Sequence, residues 1–365
     1  MAEFDKIQKP KAYIETKGIM VDYIIMLLAV CANAVYNYRM KAALLIAISA
    51  ATCVISKFVC EKIFASDYPK RDLSALVTGL MIALLLPINA TWYMAVISAG
   101  FAIFVCYLPF GTARNTPFVP AAVTACFLSI CWKERMFSYP EPIYDSYFET
   151  HESGQSISQM LTQKISIGTN SLKIFEVLTG QIPSAIGAGC SLILIGVLLY
   201  LTIRRPKNSI AAWTYILAVA IMALLFPRIA SDRIASLVME LCGGWILFAA
   251  VFFMTYPSVQ PTRTFSKVLW GFAGGVICMA LRYTSSAQEA TIFGIIIIEA
   301  LSSMFDALPL LGFEKKAIVN ASENETESEK ETIVPKEILD EIPDAPVEDD
   351  TEASSEESGG AESEE

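Results

Sequence analysis

The sequence predicts an all-α polytopic membrane protein of about ten transmembrane helices, followed by a disordered acidic tail. Three observations carry that prediction. Hydrophobic types make up 54% of the 365 residues and charged types only 18%, where an ordinary soluble domain carries about 25% charge. The mean hydropathy is +0.50. The net charge of −10 is a property of the tail: from Ala321 onward there are 18 acidic and 2 basic residues, which leaves the rest of the chain at +6. A mildly basic body suits a protein lying against anionic lipid head groups. This composition excludes an ordinary soluble enzyme.

The first 17 residues are polar and contain Lys6, Lys9, Lys11 and Lys17. They lead into an apolar run without a small-residue cleavage site, which predicts an uncleaved first span. Ten apolar runs follow one another at 18–36, 42–64, 73–88, 91–110, 118–132, 184–203, 210–227, 234–255, 266–283 and 290–311. Several fall short of the roughly 20 residues a straight span needs. The short ones contain Pro or Gly, which predicts broken or half helices covered by their neighbours. The chain therefore divides into a cytoplasmic segment 1–17, a first membrane half 18–132, an extracytoplasmic loop 133–183, a second membrane half 184–312 and an acidic tail 313–365. Low hydropathy and repeated Glu, Asp and Ser predict disorder in the tail.

Lysine and arginine counts set the orientation. With the N-terminus inside, the inside segments hold 16 basic residues and the outside segments 9. Both termini are then cytoplasmic in a multi-pass cell-membrane protein, and the 133–183 loop lies outside.

The remaining side chains exclude several chemistries. All nine cysteines fall in apolar stretches without a C-x-x-C spacing and read as small apolar filler. The single histidine, His151, rules out bis-histidine haem ligation within one chain. No Gly-rich phosphate loop, zinc spacing or nucleic-acid-binding stripe is visible, so no nucleic-acid partner is expected.

An ionisable group inside a span is expensive and is a functional candidate by default. Glu240 lies deep in its run beside Gly243 and Gly244. Glu299 is mid-run in the last span, and Asp306 follows two turns later on the same face. These three are the candidate ion path, the competing reading being satisfaction by arginines or by neighbouring subunits. Lys57 and Glu61, four apart, read as an interfacial pair. A weak internal match supports an inverted five-plus-five repeat. Ser74–Pro87 (SALVTGLMIALLLP) and Ala235–Pro257 (ASLVMELCGGWILFAAVFFMTYP) share a Ser/Ala-Leu-Val start, internal Gly and a closing Pro.

Five stretches in order carry a family resemblance. They are DLSALVTGLMIALLLP (Asp72–Pro87), FGTARNTPFVPAAV (Phe110–Val123), TGQIPSAIG (Thr179–Gly187), FFMTYPSVQPTRT (Phe252–Thr264) and IIIIEALSSMFD (Ile295–Asp306). Together they resemble the RnfD membrane subunit of the Rnf electron transport complex and its relative, the NqrB subunit of the sodium-pumping NADH:quinone reductase, over about residues 70–312. The resemblance implies a membrane subunit of a flavin-dependent, ion-translocating oxidoreductase. Electrons would pass from a carrier such as ferredoxin to NAD, coupled to sodium or proton movement. It also implies partner subunits with further redox centres, and FMN joined by a flavin transferase to a threonine in an outside S-G-A-T sequence.

The corresponding stretch here, Lys164–Gly180, offers S-I-G-T. Thr169 is the candidate acceptor, with Ile167 and Gly168 in place of the small central pair; aligned on the glycine, the acceptor position becomes Asn170. Three more polar positions depart from the family pattern: Val119 stands for Asn before Pro120, Tyr256 for Asp, and Glu299 where Asn is common. Two other readings of the resemblance stand beside the first. One is a non-flavinylated scaffold or solute-transport protein of the same fold. The other is an electron conduit to outside acceptors without pumping.

Overall fold

The computed structural model describes residues 4–64, 73–110, 116–140, 153–154, 157, 161, 174–180, 182–228, 233–284 and 289–307. The acidic tail, Thr169 and Arg114 lie outside them. The architecture is that of an all-α membrane protein, and its helices follow the apolar runs.

Helix α1 spans Phe4–Phe64 and breaks at Arg39, whose backbone adopts φ 54°, ψ −136°. Its apolar stretch Gly18–Cys60 is 43 residues long. At 1.5 Å per residue that is about twice a ~30 Å hydrocarbon core, so the break divides it into two lengths that each fit a bilayer. Helix α2 (Ser74–Leu85) and helix α4 (Pro120–Cys131) have 12 residues each. Between them α3 (Trp92–Phe101) continues through a π-helical turn, Ala102–Tyr107. A short helix α5 (Lys133–Met136) and a two-residue antiparallel ladder pairing Tyr139 with Gly154 and Pro140 with Ser153 introduce the long loop. Helix α6 (Ile174–Thr179) closes it.

The second half contains α7 (Ser191–Arg204), α8 (Pro206–Leu225), α9 (Arg233–Cys242) and α10 (Ile246–Phe248). A π-helical stretch, Ala249–Phe253, extends α10. Then come α11 (Thr264–Thr284), α12 (Glu289–Ala300) and α13 (Ser302–Ala307). Helices α9 and α10 meet at a 60° bend. Gly244 makes it possible: its φ of 73° is a left-handed conformation that other residues rarely adopt.

Four stretches are long and apolar enough to cross a membrane, Gly18–Cys60, Trp92–Phe110, Pro206–Leu225 and Thr264–Thr284, and the bent α9–α10 pair makes a fifth. Among the shorter helices, α2 is buried by its neighbours. Eleven of the twelve residues of α2 are buried, and Gly79 brings α2 so close to α1 that a Cβ there would stand 2.9 Å from Cα of Ala50. Many exposed side chains of the long helices, such as Ile55, Phe58, Leu217 and Leu225, are apolar. That is the reverse of a soluble bundle and is what a lipid-facing surface requires.

The first half of α1 runs antiparallel to α7. Asp22 meets Arg204 and Arg205 at one end, and the Tyr38 hydroxyl reaches the Ser184 carbonyl just before α7 at the other. The TGQIPSAIG segment is irregular, and its backbone docks on the end of α2. Ile186 N–H donates to the Leu86 carbonyl at 3.1 Å and Gly187 N–H to the Leu84 carbonyl at 2.7 Å. An apolar segment with exposed backbone groups needs such partners when it is buried.

Candidate functional site

Among the described residues, four acidic side chains within the helices each anchor a cluster near a helix end or a helix break. The first centres on Glu240, near the end of α9 and just before the Gly243–Gly244 bend. It is fully buried, and its two oxygens face Arg228 Nε at 3.2 Å and Arg282 Nε at 3.0 Å. Arg282 also donates to the Gly243 carbonyl at 3.0 Å. Arg228 donates to the Arg282 carbonyl, and its guanidinium lies 4.8 Å from the centre of the Tyr283 ring. Two cations on one carboxylate leave the cluster at +1. Both partners were invisible in the sequence because they stand 12 residues before and 42 residues after Glu240. Glu240 is thus a paired ion, which is the competing reading set against an ion path.

The second cluster is Glu299, in the last turn of α12. It is 1% exposed, and its Oε2 accepts the backbone N–H of Val119 at 3.0 Å. Val119 is the residue before the first turn of α4, with Pro120 at the first helical position. Free N–H groups at a helix start, and the positive end of the helix dipole, favour a carboxylate here. The other oxygen, Oε1, is buried and meets no donor among the described residues. Two positions that depart from the family pattern, Val119 and Glu299, are therefore in direct contact across 180 residues of sequence.

Asp306, on α13, makes the third. Both its oxygens accept the Thr262 N–H at 3.1 Å, and Oδ1 also accepts the Thr262 hydroxyl at 3.3 Å. Thr262 leads into α11, so Asp306 holds the entry of that helix as Glu299 holds that of α4. Glu299 and Asp306 were expected on one helical face; the break between α12 and α13 sends them to two different helix starts.

The fourth cluster was missed by sequence reasoning. Asp22, in the first span, is 2% exposed. It accepts from Arg205 Nε at 2.7 Å and Arg204 Nε at 3.3 Å. The available signal was an acidic residue inside an apolar run facing an Arg-Arg pair at a helix junction. Close by, Tyr23 shares a 2.6 Å hydrogen bond with Thr255 and packs edge-on against Tyr256, ring centres 5.9 Å apart. Lys57, expected to pair with Glu61, lies 5.6 Å from the centre of the Tyr107 ring; the side chain of Glu61 is outside the described residues.

Thr169 also lies outside the described residues. Tyr139, Ile157, Val177, Ser184, Cys242 and Trp245 help to line a cavity of about 10 Å³. The Tyr139 and Ser184 hydroxyl oxygens are buried without a hydrogen-bond partner among the described residues. Such a cavity has room for about one water molecule and none for an isoalloxazine ring. Among the described residues, no group of three or more His, Cys, Asp or Glu side chains is arranged to hold a metal ion.

The sequence profile of the NQR2, RnfD, RnfE family matches residues 9–309. A curated relative from Acetobacterium woodii, the D-type subunit of the Na(+)-translocating ferredoxin:NAD(+) oxidoreductase complex, is 26% identical over 296 residues, covering 81% of this chain and 90% of the relative. The D-type subunit of the ion-translocating oxidoreductase complex of Halorhodospira halophila is 25% identical, covering 74% of this chain and 84% of the relative. That of Pectobacterium atrosepticum is 24% identical, covering 80% and 92%.

Proposed function

Because the chain belongs to the NQR2, RnfD, RnfE family, we propose that it is the D-type membrane subunit of an ion-translocating oxidoreductase complex. In that complex electrons pass from a ferredoxin-type donor to NAD, coupled to sodium or proton movement. The observation that carries this is the family match across the whole membrane body, with relatives of that name covered over most of their own length. The other subunits of the complex are its partners and supply further redox centres.

The finer architecture belongs to the same proposal. The chain crosses the membrane ten times, reversing at Arg39, with 18–132 and 184–312 as inverted halves, 133–183 outside and 313–365 inside. The excess of basic residues in the inside segments supports this orientation. So does the antiparallel run of α1 and α7, which sets Asp22 and Arg204 at one end and Tyr38 and Ser184 at the other.

FMN bound covalently through Thr169 is proposed on the S-I-G-T sequence alone. A phosphoester needs only an exposed hydroxyl within reach of a flavin transferase. The cavity lined by Tyr139 and Trp245 does not fit a flavin ring, so no step is routed through the cofactor. Of the span carboxylates, Glu299 supports an ion route best, since one of its oxygens is unpartnered among the described residues. Glu240 and Asp306 are held by arginines and by a helix start.

The test is in-gel flavin fluorescence of the denatured chain, co-produced with a flavin transferase, beside Thr169→Ala. The expected result is a fluorescent band that vanishes in the variant. A dark wild-type band beside a bright control flavoprotein removes the covalent flavin. It then favours the non-flavinylated scaffold or transport reading, which the altered S-G-A-T already supports.

A further inference from the structure

Among the described residues, the buried carboxylates Asp22 and Glu240 each hold two arginines, whereas Glu299 holds none. Its surroundings are apolar and supply one donor. Ile295 and Ile298 on its own helix are fully buried, as are Val119, Ala121 and Ala122 of the segment it faces. From α11, Gly274 approaches Ile298, and the Trp270 indole is spent on the Ile298 carbonyl at 2.8 Å.

Among the described residues, the ionisable groups on the packed elements are engaged elsewhere. Helix α4 carries no charged side chain, only Cys126 and Cys131. On α11, Lys267 donates to the Lys207 carbonyl, Arg282 is engaged with Glu240, the Tyr283 hydroxyl donates to the Met222 carbonyl, and the buried Cys278 thiol donates to the Thr291 carbonyl at 3.6 Å. On α13, Asp306 is occupied by Thr262. A carboxylate so placed has, among the described residues, one N–H and a helix start to stabilise its charge, and no counter-ion. Burying an unpaired carboxylate is costly enough that the group takes a proton instead. A metal cation would need several oxygen ligands around it, and Glu299 offers a single unpartnered oxygen.

We infer that Glu299 is a proton-loading carboxyl, whose ligand is a proton taken in preference to sodium. Loss of the proton leaves a charge held only by the first turn of α4, so the state of Glu299 is tied to the seating of that helix. The proton's presence stands independently of the translocation reading; only its use in coupling rests on that reading.

The test labels the full chain, in its native membranes, with dicyclohexylcarbodiimide, an apolar reagent that requires a protonated carboxyl. The acid O–H adds across one C=N bond, the proton going to nitrogen and the carboxyl oxygen to the central carbon. The acyl group then migrates to nitrogen as a stable N-acylurea, and no atom is lost. Peptide mass spectrometry is expected to find Glu299 carrying the intact reagent at neutral pH, at a rate that replacing choline chloride by sodium chloride leaves unchanged. Slowing by sodium overturns the inference and reassigns the site to a metal cation.

Infrared difference spectra of wild type against Glu299→Gln decide the matter without reagent access. A protonated-carboxyl band present in the wild type and lost in the variant is the expected result, and its absence overturns the inference. A complex with that band but no coupled ion movement sinks the translocation reading alone. Coupled movement with Glu299 ionised sinks the proton site alone.

Discussion

Replacing Glu240 by Gln removes one charge from the middle of a buried triad and leaves its two cations in place. At 3.2 and 3.0 Å, each ion contact is worth about 5 kcal/mol at an effective dielectric constant of ~20. Desolvation of three ions cancels much of that, so the intact cluster is worth little in net terms. The variant is a different matter. The side chains of Arg228 and Arg282 are 13% and 3% exposed, and their other contacts, to the Gly243 carbonyl and the Tyr283 ring, keep them from turning to water. Breaking a buried pair by removing one partner costs about 3–5 kcal/mol, a large share of a typical total stability of ~5–15 kcal/mol. Unfolding of the full chain in mixed detergent micelles, followed by tryptophan fluorescence, measures it. The double variant Glu240→Gln, Arg282→Leu should recover about half of the loss, because it removes one of the two stranded cations. A Glu240→Gln protein within about 1 kcal/mol of wild type refutes the reasoning, since surface ion pairs already reach that value. The double variant also separates the two readings of Glu240. A folded double variant that still couples ion movement gives Glu240 a structural role, and one that folds without coupling places it on the ion route.

Three further outcomes follow from other positions. Arg205→Ala should cost about 2 kcal/mol and Arg204→Ala under about 1 kcal/mol, because Arg205 is 2.7 Å from Asp22 and 25% exposed while Arg204 is 3.3 Å away and 63% exposed; the same unfolding assay ranks them. Gly79→Val places its Cβ 2.9 Å from Cα of Ala50 and 3.1 Å from the Ser49 carbonyl oxygen, so about 1–3 kcal/mol is lost to overpacking, visible as a lowered Tm of the micelle-bound protein. Arg39→Gly should raise the Tm by an amount corresponding to about 1 kcal/mol, because φ 54°, ψ −136° is a conformation glycine holds without strain; an unchanged or lower Tm counts against strain at the break.

How far the sequence could be read depended on whether the property was local. Helix positions were legible because each apolar run is long: 73–88 is realised as Ser74–Leu85, 118–132 as Pro120–Cys131 and 266–283 as Thr264–Thr284. The run at 184–203 shows the limit. Its first residues are apolar and buried, yet they form an irregular wedge against α2, and the helix starts only at Ser191. Composition reports burial, and burial does not distinguish a helix from a segment whose backbone finds its partners elsewhere. The long-range pairings were illegible for the same reason. Nothing near Glu240 announces Arg228 and Arg282, and Asp22 passed unnoticed in an apolar run until Arg204 and Arg205 closed on it. The family resemblance located Val119 and Glu299 as departures, one by one. Only the fold shows that they touch.

That contact sorts the acidic residues of the membrane body by what each can still do. A carboxylate between two guanidiniums, as at Asp22 and Glu240, is already neutralised and would have to break two ion contacts to accept anything else. Asp306 is committed through both oxygens to the start of α11, at a partly exposed helix end where water can also serve it. Glu299 differs in both respects. It is buried among apolar side chains, and only one of its oxygens is engaged among the described residues. Glu299 thus sets an ionisable group against the backbone of Val119, whose side chain is apolar. An asparagine before Pro120 would bring an amide beside the carboxylate; valine leaves it with the backbone N–H alone. The contact between α4 and α12 is thus a place where the proposed change of charge would act directly on helix position.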